Sequence, residues 1–281
     1  MKTFLDCYPC FLDQALRAGR MATKDEEKIK QLLDSVGSMI RDIPLDHTPP
    51  ETGEMIYRKV REITGVDDPY RDIKRANIRE ALELYPDLKK MLDGSEDRLE
   101  AAIRLAIAGN VIDLGVSRKF VLKDEIRKIL KQDFAVFHYP EFKEHLDRTS
   151  SILYIGDNAG ESVFDRILIE ELDKPVIYAV REIPVINDVT REDAEESGIG
   201  EVAGIISSGS TAPGAILSLC NEKFLEEFRR SGLIISKGQG NYEALSEAGR
   251  PVFFLLKAKC KVIAYDMDVK VDDIVLKGIH V

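Results

Sequence analysis

Asp157, Asn158 and Glu161 stand together in Gly156-Asp157-Asn158-Ala159-Gly160-Glu161, directly after the apolar run Ile152-Leu153-Tyr154-Ile155 and before the helical pattern opening Ser162-Val163-Phe164-Asp165. A buried strand that ends in an acid, an amide, two glycines and a second acid ahead of a helix suits hard-cation or phosphate chemistry. After the next β-rich run, Asn187-Asp188-Val189-Thr190 adds a further carboxylate. Asp157, Asn158 and Asp188 can supply two carboxylates and an amide oxygen, the donors that Mg²⁺ or Mn²⁺ prefers, with water or substrate phosphate completing the shell. The same residues also have an architectural use. Asp157 or Asn158 can cap the following helix, and Asp188 can be a turn residue ahead of a Thr190–Asp193 capping box.

Other strand ends carry further candidates. Lys237-Gly238-Gln239-Gly240-Asn241 is not a P-loop, because its lysine comes first. A lysine at a strand end, with glycines that let backbone N–H groups approach, can still hold a phosphate, or the lysine can sit on a tight turn with Asn241 as helix cap. Ser207-Ser208-Gly209-Ser210-Thr211 can donate to an anion or be a plain serine-rich loop, and it lacks the elbow of a serine hydrolase. Asn110 and Asp113, three apart among apolar neighbours, share a helix face and need partners, either a substrate or a neighbouring helix end. Cys7 and Cys10 form one Cys-x-x-Cys pair, open to a local disulfide, redox or partial metal role or to ordinary packing. The four histidines show no metal-ligand or triad context, which disfavours histidine-based catalysis.

These residues need elements to position them. From Phe11 to about Lys131 the apolar spacing is helical, with a proline-rich connector at 42–53, helices resuming at Glu54, and a break at 93–95 after which Ser95 can cap the next helix. The second half alternates short β-rich runs, at Ile152–Ile155, Pro175–Val180, Gly204–Ser207, Leu233–Ser236, Val252–Leu256 and Val262–Tyr265, with mostly helix-sized intervals. The expected fold class is therefore α/β: a Rossmann-like, mostly parallel sheet with flanking helices over 149–281, preceded by an all-helical domain over 1–148. In such sheets ligands bind outside the carboxyl ends of the strands, where the polar residues above fall.

Composition narrows the function classes. The 281-residue chain is 44% hydrophobic and carries a formal net charge of −10, enough apolar content for a real core and the wrong charge for a phosphate backbone partner. No apolar run approaches a membrane span, and Met1–Cys7 lacks the features of a signal peptide, so the expectation is a cytoplasmic protein without membrane or nucleic-acid partners. Nothing in the sequence fixes an oligomeric state.

In order, Cys7-x-x-Cys10, Arg75-Ala76-Asn77-Ile78-Arg79-Glu80, Gly109-Asn110-x-x-Asp113, Gly156–Glu161, Asp188-Val189-Thr190 and Lys237-Gly238-x-Gly240-Asn241 resemble the damage-control phosphatase family, in its archaeal and bacterial branch with an N-terminal cysteine pair. The resemblance spans nearly the whole chain. It implies a helical N-terminal part on a Rossmann-like core, and a phosphatase dependent on Mn²⁺, Ni²⁺, Co²⁺ or Mg²⁺ that hydrolyses small phosphorylated metabolites, including sugar phosphates. It also implies that Asp157, Asn158 and Asp188 hold the metal and that Lys237 meets the phosphate. On this reading Asp157, Glu161 and Lys237 are the catalytic candidates, with Asn110, Asp113, Ser208, Gly209, Gly238 and Asn241 beside the substrate. A carboxyl methyltransferase using S-adenosylmethionine is the runner-up, weakened by the absence of a Gly-x-Gly core in Gly156–Glu161. A non-catalytic phosphate or nucleotide binder is the third reading.

Overall fold

A computed structural model describes residues 1–111 and 119–281. The N-terminal region is a stack of amphipathic helices: α1 (Cys7–Ala22), α2 (Glu26–Ile40), α3 (Pro49–Thr64), α4 (Arg71–Asp93) and α5 (Arg98–Ala108). Phe11, Ala15 and Ala18 of α1 meet Leu32, Val36, Ile56 and Val60 in one apolar cluster. The connector ends earlier than the proline pattern predicts. Pro49 opens α3 because Thr48 and Glu51 form a reciprocal capping box and proline is tolerated in the first turn. The cap of α5 is Asp97, whose carboxylate accepts the Glu100 N–H, and not Ser95.

The chain continues through α6 (Lys119–Lys131), β1 (Phe134–Phe137), α7 (Tyr139–Arg148), β2 (Ile152–Ile155), α8 (Ser162–Leu172), β3 (Val176–Val180), α9 (Arg191–Glu196) and β4 (Gly204–Ser207). It ends with α10 (Glu222–Arg230), β5 (Leu233–Lys237), α11 (Gln239–Leu245), β6 (Val252–Lys257), α12 (Lys261–Met267) and β7 (Ile274–Ile279). Among the described residues the strands form one seven-stranded sheet, in the order β1-β7-β6-β5-β2-β3-β4. Every neighbouring pair is parallel except β6 with β7. The interior strand β2 is buried along its length, as its unbroken apolar run requires.

Two elements differ from the sequence pattern. Val262–Tyr265, expected as a strand, lies within α12, because Cys260 caps that helix by accepting the Ile263 N–H. A four-residue apolar run does not distinguish the two periodicities, so the cap decides. Strand β7 takes the sheet position between β6 and β1 instead. Strand β1 falls on the N-terminal side of the boundary expected after residue 148, so the described residues within 1–148 are not all helical: this strand joins the sheet at its edge. One apolar cluster runs from α4 and α5 through α8 into β2, β5 and β6, joining the helical layer to the sheet.

Candidate active site

The chain leaves β2 toward β3 on one side, and leaves β5 toward β6 on the other. This reversal opens a crevice at the carboxyl ends of β2 and β5, where ligands bind in sheets of this kind. Gly156, Asp157 and Asn158 follow β2 at that point. Gly238 follows β5 at φ +78°, a left-handed conformation that favours glycine, and its missing side chain leaves room for the Asp157 carboxylate, which a Cβ would strike. Gly156 is equally constrained, because a Cβ there would strike the Tyr178 hydroxyl.

Asp188 reaches the same place from the loop after β3. The backbones of Asn158 and Asp188 are bridged, the Ala159 N–H donates to the Asn187 carbonyl at 2.9 Å, and the Val189 N–H donates to the Asp157 carbonyl at 2.8 Å. Ile186, just before this pairing, has φ +47°, an outlier for a β-branched residue, held where Val185 is buried in the helical cluster. Asp157, Asn158 and Asp188 are 8%, 6% and 4% exposed and together line a cavity of about 1070 Å³ between the strand ends and α1, α3 and α4. Burial, followed by the nearby Asp188 and Glu161 carboxylates, pushes the Asp157 carboxyl well above the usual range.

Beneath the cavity lies a network of buried, paired charge. The Lys237 ammonium donates to Glu161 Oε1 at 2.5 Å, Asp165 Oδ1 at 2.6 Å and the Ala106 carbonyl at 2.8 Å, which occupies its three hydrogens. Burial opposes that charge, but Asp165 and Glu161 outweigh it and push the lysine up to about 12. Asp165 also accepts the Tyr154 and Tyr178 hydroxyls at 2.7 and 2.8 Å. Glu161 Oε2 accepts the side-chain amides of Asn110 and Asn158, both at 3.1 Å. Asn158 Nδ2 donates to Asp157 Oδ2 as well, at 3.0 Å.

Asp157, Asn158 and Asp188 thus converge on the cavity, whereas Lys237 and Glu161 sit below it and do not line it. The Asn241 amide donates to the Gly156 and Lys237 carbonyls at 3.0 and 2.7 Å and accepts from Arg181 and the Ala215 N–H at 3.0 and 2.9 Å, tying the strand ends together. Ser208 and Gly209 brace the loop after β4: the Ser208 N–H donates to the Val180 carbonyl at 2.8 Å and the Asn221 N–H to the Ser208 carbonyl at 2.9 Å. Asp113 lies outside the described residues. The capping box expected at Thr190 and Asp193 is present, and the buried Lys74 ammonium adds a bond to Asp193 at 2.8 Å, tying α4 to the loop that carries Asp188.

Some residues at or beside the cavity were not among the sequence candidates. Arg181 is buried at 1% exposure, its Nε donates to Asp188 Oδ2 at 2.8 Å, and its Nη1 has no partner. Its place directly after β3 was the available signal. Lys259, Gln239 and Glu243 line the cavity, as do Cys7, Cys10 and Cys260, all free thiols. Among the described residues no three His, Cys, Asp or Glu side chains are placed as a metal-holding group, and no helix is long and apolar enough to cross a membrane. The candidate donor residues at the cavity are instead Asp157, Asp188 and Asn158, two carboxylates and an amide. These hard oxygen donors, with Asp157 raised by burial and then by its like-charged neighbours, fit a divalent cation.

Comparison with known proteins agrees with this architecture. The chain is 34% identical to damage-control phosphatase PH1575 of Pyrococcus horikoshii, over 96% of this chain and 95% of that protein. It is 32% identical to a damage-control phosphatase of Archaeoglobus fulgidus, over 98% of both. The crystal structure of PH1575, described as a DUF89 family protein, superposes with a TM-score of 0.91 at 33% identity, over 98% of both chains. The model of the damage-control phosphatase ARMT1-like domain matches residues 3–275, and the chain belongs to that family.

Proposed function

We propose that this chain is a divalent-metal-dependent phosphomonoesterase acting on small phosphorylated metabolites such as sugar phosphates. The observation that carries the reading is the convergence of Asp157, Asn158 and Asp188 on one cavity at the carboxyl ends of the sheet. These three residues would hold the ion. When bound, such an ion neutralises phosphoryl oxygens and makes a coordinated water more acidic.

The remaining residues prepare and steady that site. Arg181 anchors the Asp188 carboxylate through Oδ2, and Glu161 holds the Asn158 side-chain amide through Nδ2. Lys237 acts through Glu161 and Asp165, holding their charge in place. The cation assigned to the substrate phosphate is Lys259, which lines the cavity and favours the ionised form of Asp157.

The test strips metal from the purified protein and supplies p-nitrophenyl phosphate and sugar phosphates. Phosphate release on adding Mn²⁺, Ni²⁺, Co²⁺ or Mg²⁺ is expected. Binding of the esters without release under any of these ions contradicts the proposal.

A further inference from the structure

Helix α11 starts against Asp157, at Gly238, and its first-turn residue Gln239 and later residue Glu243 stand four apart on one face. Four residues advance a helix by about 6 Å, so Glu243 lies roughly one turn beyond the point where α11 touches the proposed metal ligands. Gln239 Nε2 donates to Glu243 Oε1 at 3.1 Å and to Cys260 Sγ at 3.6 Å, which fixes the carboxyl at the cavity wall. Among the described residues four carboxylates line the cavity: Asp157 and Asp188 are proposed ligands, and Asp6 is exposed. Glu243 is the fourth, and it is buried at 9% exposure.

We propose that Glu243 is a catalytic residue of the phosphatase reaction, the proton donor to the leaving oxygen of the ester. This rests on the phosphatase reading above. Water oxygen bonds to phosphorus as the ester P–O bond breaks, and the electron pair of that bond stays on the leaving oxygen. That oxygen takes the Glu243 proton and departs as a neutral alcohol. One proton of the attacking water passes to solvent and the other stays on the phosphate, and solvent then reprotonates Glu243.

The surroundings suit a donor working near neutrality. Burial raises the Glu243 carboxyl to about 7, against the Gln239 hydrogen bond and the Met1 ammonium, with Asp266 of α12 adding to the rise. Cys7 from α1, and Lys259 and Cys260 ahead of α12, share the cavity with it. Cys7 is a poor alternative, since burial pushes its thiol up to about 11. Among the described residues no histidine lines the cavity.

The experiment compares Glu243→Gln with the wild type on two esters of different leaving group, a sugar phosphate and p-nitrophenyl phosphate. The phenolate of the second leaves as a stable anion, so it needs a proton donor far less. Glu243→Gln should lower kcat on the sugar phosphate by about 10²-fold or more, and on the aryl ester at least about tenfold less than that. The wild-type fall in kcat above pH 7 on the sugar phosphate should vanish in the variant. A second readout needs no metal: difference infrared spectroscopy of the metal-free protein should show a carboxyl titrating near neutrality that Glu243→Gln removes. Equal losses on both esters, no loss on either, or a missing carboxyl band in the wild type would overturn the assignment. A wild type that hydrolyses neither ester would overturn the phosphatase reading and this role together.

Discussion

Two groups of buried charge meet at the carboxyl end of β2, and they are balanced differently. In the lower group, Lys237 lies between Glu161 and Asp165, its hydrogens have three acceptors, and each carboxylate has further donors from Asn110, Asn158, Tyr154 or Tyr178. In the upper group, Asp157, Asn158 and Asp188 bring two carboxylates to the cavity wall, with the Arg181 guanidinium bonded to only one of them. A buried network with its hydrogen bonds satisfied is built to hold still. Like charges gathered at a cavity are built to receive a cation. The chain thus uses the satisfied charges below to position the carboxylates above.

The strongest way to break this contrast is to remove the counter-charge below. Lys237→Met leaves Glu161 and Asp165 buried without a cation, and a loss of about 3–5 kcal/mol is expected, lowering the melting temperature by roughly 10 °C. A change of less than about 1 kcal/mol would mean that the lower group is not a charge-paired support.

A pH series sharpens the contrast on the cavity side. Glu243 ionises near 7 in the folded chain and near 4.5 when exposed, so the unfolded state loses its proton first as pH rises. Its contribution to stability is therefore full below about pH 4.5 and is lost on approaching pH 7, by on the order of 2–3 kcal/mol. Chemical denaturation across that range should show the decline in the wild type and a flatter profile in Glu243→Gln. Identical profiles would contradict it.

A smaller effect tests the link between the groups. Glu161→Gln keeps the shape but weakens the hold on the Asn158 amide, so divalent-ion affinity should fall about 10–100-fold. Titration calorimetry with Mn²⁺ reads this directly, and unchanged affinity would separate Glu161 from the site.

The upper group was legible in the sequence because its chemistry is local: an acid and an amide follow a buried strand within two residues, and Asp188 follows the next strand. Alternating strands and helices gave the α/β class by the same short-range logic. The lower group was not legible, because Lys237 finds Glu161 and Asp165 across more than seventy residues of chain. The spacing of Glu161 and Asp165, four apart on one helix, was visible but does not say which cation they meet. Lys259, Gln239 and Glu243 escaped for a related reason, since the cavity is completed by α1, α3 and α4 from the other half of the chain. Val262–Tyr265 misled because one cysteine cap outweighs a four-residue apolar run.

The central claim is that the unbalanced group is a cation site. Calorimetric titration of the metal-stripped protein with Mn²⁺, beside Asp188→Asn, tests it most directly. The account predicts saturable binding at one site per chain in the wild type, and affinity lower by about 10²-fold or more in the variant, the loss of one ligand exceeding that of a supporting residue. Equal binding by the two proteins, or no saturable binding by the wild type, would contradict it.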